Sequence, residues 1–278
     1  MKRLLRHPSG LVGLILVVIV VFTAVAAPYI SPHPPRQQRI ARRMLPPAWM
    51  ERGNPQHPLG TDQLGRDTLS RVIYGSRVSI LVAVAAVALA GTVGTALGLW
   101  AGYRGGKVDY VISMIINMAW SFPYILLALI IVAVLGASLT NLIIALSATS
   151  WANFARVIRN EAVRLRAVEY VEAARAVGCS TLRIVTRHVL PNVTATLVVI
   201  GTIEFARAIL REAFLSFLGL GIPPQIPSWG GMLSEARPYM HSMWWLATFP
   251  GVAIFLTALG ANLLGDGLRD AYDPRLRR

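Results

Sequence analysis

Stretches free of Asp, Glu, Lys and Arg divide the chain into long apolar runs separated by charged segments. The first runs from Pro8 to Pro32, with its apolar heart at Leu11 to Ala27, and the second from Val78 to Tyr103. The third, Tyr110 to Ala155, holds 46 residues, about 69 Å as one helix at 1.5 Å per residue. A membrane span needs about 20 mostly apolar residues to cross about 30 Å of hydrocarbon. This run therefore predicts two spans, with a turn at Gly136, Ser138, Thr140 and Asn141. Pro191 to about Glu212 predicts a fifth, and Pro238 to Gly265 contains a sixth. Helices satisfy their own backbone hydrogen bonds in lipid, so the expected fold is all-α, a polytopic membrane protein of six transmembrane helices.

Composition agrees. Of 278 residues, 55% are hydrophobic and 14% charged, and the mean hydropathy is +0.55. A soluble domain would carry about 25% charged residues. The net charge of +14 would suggest nucleic acid in a soluble protein. Here it fits basic cytoplasmic loops, so membrane lipid rather than nucleic acid is the expected partner. The single cysteine, Cys179, excludes an internal disulfide. His7, His33, His57, His188 and His241 show no metal-ligand spacing along the chain, and no metal site is expected.

Arg and Lys set the expected orientation. With both termini cytoplasmic, the inside segments hold 16 of the 27 basic residues: Lys2, Arg3 and Arg6, then Arg104 and Lys107, seven from Arg156 to Arg187, and four from Arg269 on. The outside segment from Tyr29 to Arg77 holds eight, in a loop long enough for the bias to weaken. The first run, behind Lys2, Arg3 and Arg6 and followed by Ala24-Val25-Ala26, has the form of a signal peptide; an uncleaved anchor is the favoured reading.

Two spans carry unusual residues. Span two places Ala86, Ala90, Gly94, Gly98 and Gly102 at four-residue spacing. Small residues on one face let helices approach closely, so Ala90, Gly94 and Gly98 are candidate packing positions, with gating as the alternative. Span five places Glu204, Arg207 and Arg211 on one face. Charges within a span face a partner or a wet cavity. Glu204 and Arg207, with Asn117 of the third span, are the pathway candidates; the other reading is a helix end at the outer interface.

The segment Arg164 to Pro191, between spans four and five, is polar and basic. Val168 to Val177 is alanine-rich and predicts a helix. Gly178 ends it, Ser180 or Thr181 can cap a second short helix, and Pro191 opens the next span. Physics leaves two readings, an interfacial hairpin that anchors the bundle or a lever for a cytoplasmic partner.

Glu172-Ala173-Ala174, three residues, Gly178, nine residues, then His188 two before Leu190-Pro191 resembles the EAA loop of ABC importer permeases. The family often has Ile where His188 stands; its peptide-permease branch has His. The resemblance implies coupling helices that dock on ATPase subunits, with Glu169, Glu172, Ala173, Ala174, Gly178, His188, Leu190 and Pro191 as the coupling residues. Further stretches are similar to the C-type permease of dipeptide and oligopeptide importers. These are His57-Pro-Leu-Gly-Thr-Asp-Gln-Leu-Gly-Arg-Asp67, Leu215 to Gly221 with Pro223-Pro224 and Pro227-Ser228-Trp229-Gly230, Phe249-Pro250-Gly251, and Asn262 to Asp270. The resemblance implies the type I importer permease fold, with residues 1–70 as tail, first helix and periplasmic segment and residues 71–278 as the permease core containing the 164–191 loop. It also implies a second homologous permease subunit, two ATPase subunits and an extracytoplasmic substrate-binding protein, in a bacterial inner membrane.

The chain has no glycine loop with Lys-Ser/Thr, nucleophile elbow or HExxH. It is therefore expected to be no enzyme and to bind no cofactor, with ATP and Mg on partners. The alternatives are a nickel or other small-solute importer permease and a secondary transporter. Asp62, Arg66, Asp67 and Arg71, ahead of span two, suit an amphipathic surface helix with ion pairs, or a docking face for the binding protein.

Overall fold

The computed structural model describes residues 8–272. Lys2, Arg3, Arg6, His7 and the basic tail residues Arg275, Arg277 and Arg278 lie outside them. Ten α-helices follow in order. They are α1 (Pro8–Ile30), α2 (Thr68–Arg104), α3 (Gly106–Ser121), α4 (Tyr124–Leu135), α5 (Leu139–Arg166), α6 (Glu169–Ala176), α7 (Thr181–Ile184), α8 (Leu190–Phe217), α9 (Trp229–Ala236) and α10 (Trp245–Tyr272).

The six expected spans correspond to α1, α2, α3 with α4, α5, α7 through α8, and α10. Four helical stretches, α1, α2, α7–α8 and α10, are each long and apolar enough to cross a membrane, and the pair α3–α4 makes a fifth. The 28 residues of α5 are long enough, but their second half carries Arg156, Arg159, Glu161, Arg164 and Arg166.

The third span departs from the expected single helix. It breaks at Phe122-Pro123, and α3 and α4 meet at 87°. Proline lacks an amide and disfavours the helical region for the residue before it; Phe122 is extended at φ −90°, ψ 134°. The turn expected at Gly136 is present. Gly136 adopts φ +86°, Ser138 caps α5 by accepting from the Asn141 amide at 3.1 Å, and the Asn141 side chain donates to the Leu135 and Gly136 carbonyls.

Helix α2 is the spine. Its 37 residues run about 55 Å. A Cβ on Gly98 would stand 2.6 Å from the Ala155 carbonyl oxygen of α5, and Gly94 and Gly102 are equally close to Trp151 and Arg159 of that helix. Ala90 is buried on the same face, and Phe154 of α5 fills the space over Gly91. A second close crossing joins α1 to α10, where a Cβ on Gly260 would meet Leu16 at 2.7 Å and Gly13 lies against the α10 backbone. Helices that approach this closely gain dispersion contacts that lipid cannot replace. Large apolar side chains on α1, among them Val18, Ile19, Phe22 and Val25, are exposed, as on a surface that faces lipid.

The expected domain boundary at residue 70 falls inside α2. The sixth span, α10, starts at Trp245 inside the Pro238 to Gly265 run, after a separate 3-10 turn at Arg237–Tyr239. The proline-rich stretch after α8 turns back at Gly219, φ +81°, and buries Ile222 beside Leu215 and Val82. Trp229 of α9 is buried and donates its indole N–H to the Val72 carbonyl at 2.9 Å.

Candidate coupling and translocation sites

At one end of α2, the segment from Ala167 to Val189 folds beneath α5 and α8. Helix α6 begins at Glu169 and is pinned by Val171, which is fully buried with Ile158, Leu165, Ile184 and Val189. Its C-terminus closes as a Schellman motif: the Gly178 amide donates to the Arg175 carbonyl at 3.0 Å and the Cys179 amide to that of Ala174 at 3.1 Å. Gly178 adopts φ +81°, a conformation that costs other residues about 1–2 kcal/mol.

Glu169, Glu172, Ala173 and Gly178 are exposed, and Ala174 is half-buried against the α6 anchor. His188 is half-buried, its ring 6.3 Å from that of Tyr170. The exposed face also presents Val177 and Leu182, 79% and 74% accessible. The sequence reading overlooked these two, although large apolar side chains flanking a glycine turn in a polar loop are a docking signal.

The second short helix is not separate, as expected, but continuous with α8. Thr181–Ile184 passes through a π-turn at Val185–Val189 into α8, and the Ser180 side chain makes no capping bond. Pro191 thus sits in the first turn of α8 within one continuous rod.

Further along α8, Glu204 is buried. Its Oε1 accepts from Arg207 at 2.7 Å and from Asn153 of α5 at 2.9 Å, and its Oε2 lies 3.4 Å from Arg211. Arg211 also donates to Ser150 of α5 at 2.6 Å, and its guanidinium lies 4.6 Å from the Tyr124 ring. Asn117 meets a different residue of α5 from Glu204. It accepts from Arg156 of α5 at 2.9 Å, and the Arg156 guanidinium covers Trp120 at 3.7 Å.

Ser150, Asn153 and Arg156 recur every three residues and form a polar stripe along α5. It meets Arg211, Glu204 and Asn117 in turn. The sequence reading missed this stripe because Ser150 and Asn153 lie in an uncharged run. A cavity of about 440 Å³ opens beside it, lined by Tyr124, Ile125, Leu146, Arg207, Arg211 and Phe214 among others. Arg207 is 54% exposed while its partner Glu204 has no exposed surface. The cavity therefore presents two guanidinium groups in an otherwise apolar wall.

At the other end of α2, the expected surface helix is absent. Asp62, Arg66 and Asp67 precede α2 in a buried loop. Asp62 pairs with Arg66 at 2.6 Å and with Arg71, and both arginines reach Glu235 of α9 at 2.6 and 2.7 Å. Asp67 caps α2, its Oδ2 accepting from the Ser70 amide at 2.7 Å. Glu235 was not anticipated. It lies 164 residues beyond Arg71, where no local spacing points to it.

Comparison with known proteins adds the family context. Residues 94–278 match the family model for the binding-protein-dependent transport system inner membrane component. Residues 1–47 match the N-terminal TM domain of oligopeptide transport permease C. The chain is 44% identical over 277 residues to a putative peptide transport system permease protein of Brucella abortus, covering 99% of this chain and 91% of that one. It is 42% identical over 273 residues to the dipeptide transport system permease protein DppC of Haemophilus influenzae, covering 98% and 92%. The Escherichia coli DppC is 43% identical, with 98% and 91% covered. Among solved structures, the inward-facing MetNI methionine ABC transporter matches with a TM-score of 0.59 at 19% identity, over 73% of this chain and 97% of that chain. At that identity it shows the fold alone.

Proposed function

The chain belongs to the binding-protein-dependent transport system inner membrane components, and from that premise we propose that it forms half of a peptide translocation pathway driven by ATP on partner subunits. The observation that carries the substrate class is the end-to-end likeness to dipeptide transport permeases. It favours a peptide over the nickel and secondary-transport readings.

The proposed mechanism follows the geometry. ATPase subunits bind beneath α6, where Glu169 and Glu172 offer carboxylates, Ala173 permits close approach, and Val177 and Leu182 enter a partner groove. His188, Leu190 and Pro191 lie on the rod that leaves this face. The rigid connection from Thr181 through α8 carries a displacement of the docking face to Glu204 and Arg211. Arg207 and Arg211 then offer the peptide's carboxylate a cationic wall, while Glu204 and the α5 stripe hold those arginines in place. The network of Asp62, Arg66, Arg71 and Glu235 supports the opposite face, where the binding protein delivers substrate. A homologous permease closes the pathway's other side. ATP and Mg belong to the ATPase subunits, this chain carries out no hydrolysis, and its termini are cytoplasmic.

Uptake of a radiolabelled dipeptide by cells lacking other peptide transporters tests the substrate. Uptake is expected with the complete transporter and not when this subunit is omitted. Uptake of nickel but of no peptide would overturn the reading.

A further inference from the structure

Between α1 and α2, three ligand-type side chains converge from positions far apart in sequence: His33, His57 and Asp67. Their potential ligand atoms all lie within 4.8 Å of one another. The absence of any ligand spacing along the chain had argued against a metal site, and the fold overturns the ground for that expectation. His57 and Asp67 are each 2% exposed, so His57 is not a surface histidine. Asp67 Oδ1 stands 2.9 Å from His57 Nδ1 and 3.9 Å from His33 Nδ1, and the imidazole rings are 4.7 Å apart.

The candidate ligand atom His33 Nδ1 is also buried without a hydrogen-bond partner. Buried polar atoms without partners are costly, and an ion is one of the ordinary reasons they persist. The segment is otherwise firmly tied. The His33 amide donates to Ser70 Oγ at 3.0 Å, and Ser70 Oγ donates to Asp67 Oδ2 at 2.6 Å.

We propose that His33, His57 and Asp67 form a binding site for a divalent transition-metal ion of the zinc class, which clamps the α1–α2 segment to the first turn of α2. Ligands of tetrahedral zinc, each about 2.0–2.1 Å from the ion, stand about 3.3 Å apart. The two distances from Asp67 straddle that value, so small side-chain movements complete the set. Two imidazoles and one carboxylate suit zinc and its neighbours; calcium and magnesium prefer all-oxygen sets. The His33 side chain is 21% exposed although its Nδ1 is buried, so the ion sits just beneath the surface with His33 as the outermost ligand. The site is remote from the α8 cavity and clamps the structure rather than carrying substrate.

The test is zinc titration of the detergent-purified full transporter carrying no polyhistidine tag, read by elemental analysis after gel filtration and by thermal unfolding. His33→Gln is the informative variant, because it spares the His57–Asp67 hydrogen bond that caps the fold locally. The wild type is expected to retain one more zinc per copy of this chain than His33→Gln, the loss of a direct ligand costing more than the roughly tenfold seen on losing a residue that only supports one. Zinc should raise the unfolding temperature of the wild type only. Equal zinc content in the two proteins, or equal stabilisation by zinc, would overturn the proposal. His57→Gln serves as a second variant with the same expectation where it folds.

Discussion

Asn153 of α5 donates a hydrogen bond to Glu204 of α8 at 2.9 Å. That bond joins the helix packed on the α2 spine to the helix that continues from the α6–α7 segment. It also fixes a carboxylate that holds Arg207 at 2.7 Å. The polar centre is thus anchored at Glu204 and presented to the cavity by Arg207 and Arg211.

Removing the anchor and removing the presented group should differ. Glu204→Ala leaves half-buried Arg211 without its carboxylate, a loss short of the roughly 3–5 kcal/mol for breaking a fully buried pair. A lower unfolding temperature in detergent is expected. Arg207 is mostly exposed, and exposed pairs contribute about 0–1 kcal/mol. Arg207→Ala should therefore unfold like the wild type while peptide uptake falls roughly ten- to hundredfold, as for the loss of one charged hydrogen bond of about 1.5–3 kcal/mol.

The α2–α5 seam has an internal control. Gly98→Leu forces side-chain volume into the α5 backbone, and overpacking costs about 1–3 kcal/mol. A Cβ added to Gly201 on α8 would meet nothing within 4 Å, so Gly201→Ala should be close to neutral. Thermal unfolding of the two variants side by side checks the contrast.

The network ahead of α2 should depend on Glu235. Glu235→Ala leaves Arg66 and Arg71 sharing Asp62 alone, and about 3–5 kcal/mol is at stake for a buried pair. Because the groups share partners, a double-mutant cycle with Arg71→Ala should be strongly non-additive. Additive losses in chemical or thermal unfolding would show that these residues do not act together.

The coupling face should depend on two apolar side chains. Val177→Ser with Leu182→Ser removes exposed surface from the native fold, so stability should change by less than about 0.5 kcal/mol. Co-purification of the ATPase subunits should fall sharply. Retention of both ATPase subunits at wild-type levels would remove Val177 and Leu182 from the docking surface.

Features that live on one stretch of chain were legible in the sequence. The uncharged runs, the small-residue stripe of α2, the glycine turn at Gly178 and the Glu204–Arg207 pair all have local spacings. Features made by tertiary approach were not. Glu235 meets Arg71 only because α9 folds back over the start of α2, and His33 meets His57 across an irregular loop. Local punctuation was also misread in two places. Pro123 breaks the third span although the run around it is apolar, whereas Pro191, in the first turn of α8, marks no break from the π-turn before it. Hydropathy hid the α5 stripe, since Ser150 and Asn153 add no charge to the run.

Transport in proteoliposomes containing the complete transporter and its binding protein tests the account most directly. Labelled dipeptide uptake is expected to require ATP, Glu172→Lys on the exposed face of α6 should abolish uptake while leaving the subunit folded, and Gly178→Pro should abolish it by breaking the turn that ends α6. Uptake driven by an ion gradient without ATP, or undiminished in both variants, would contradict it.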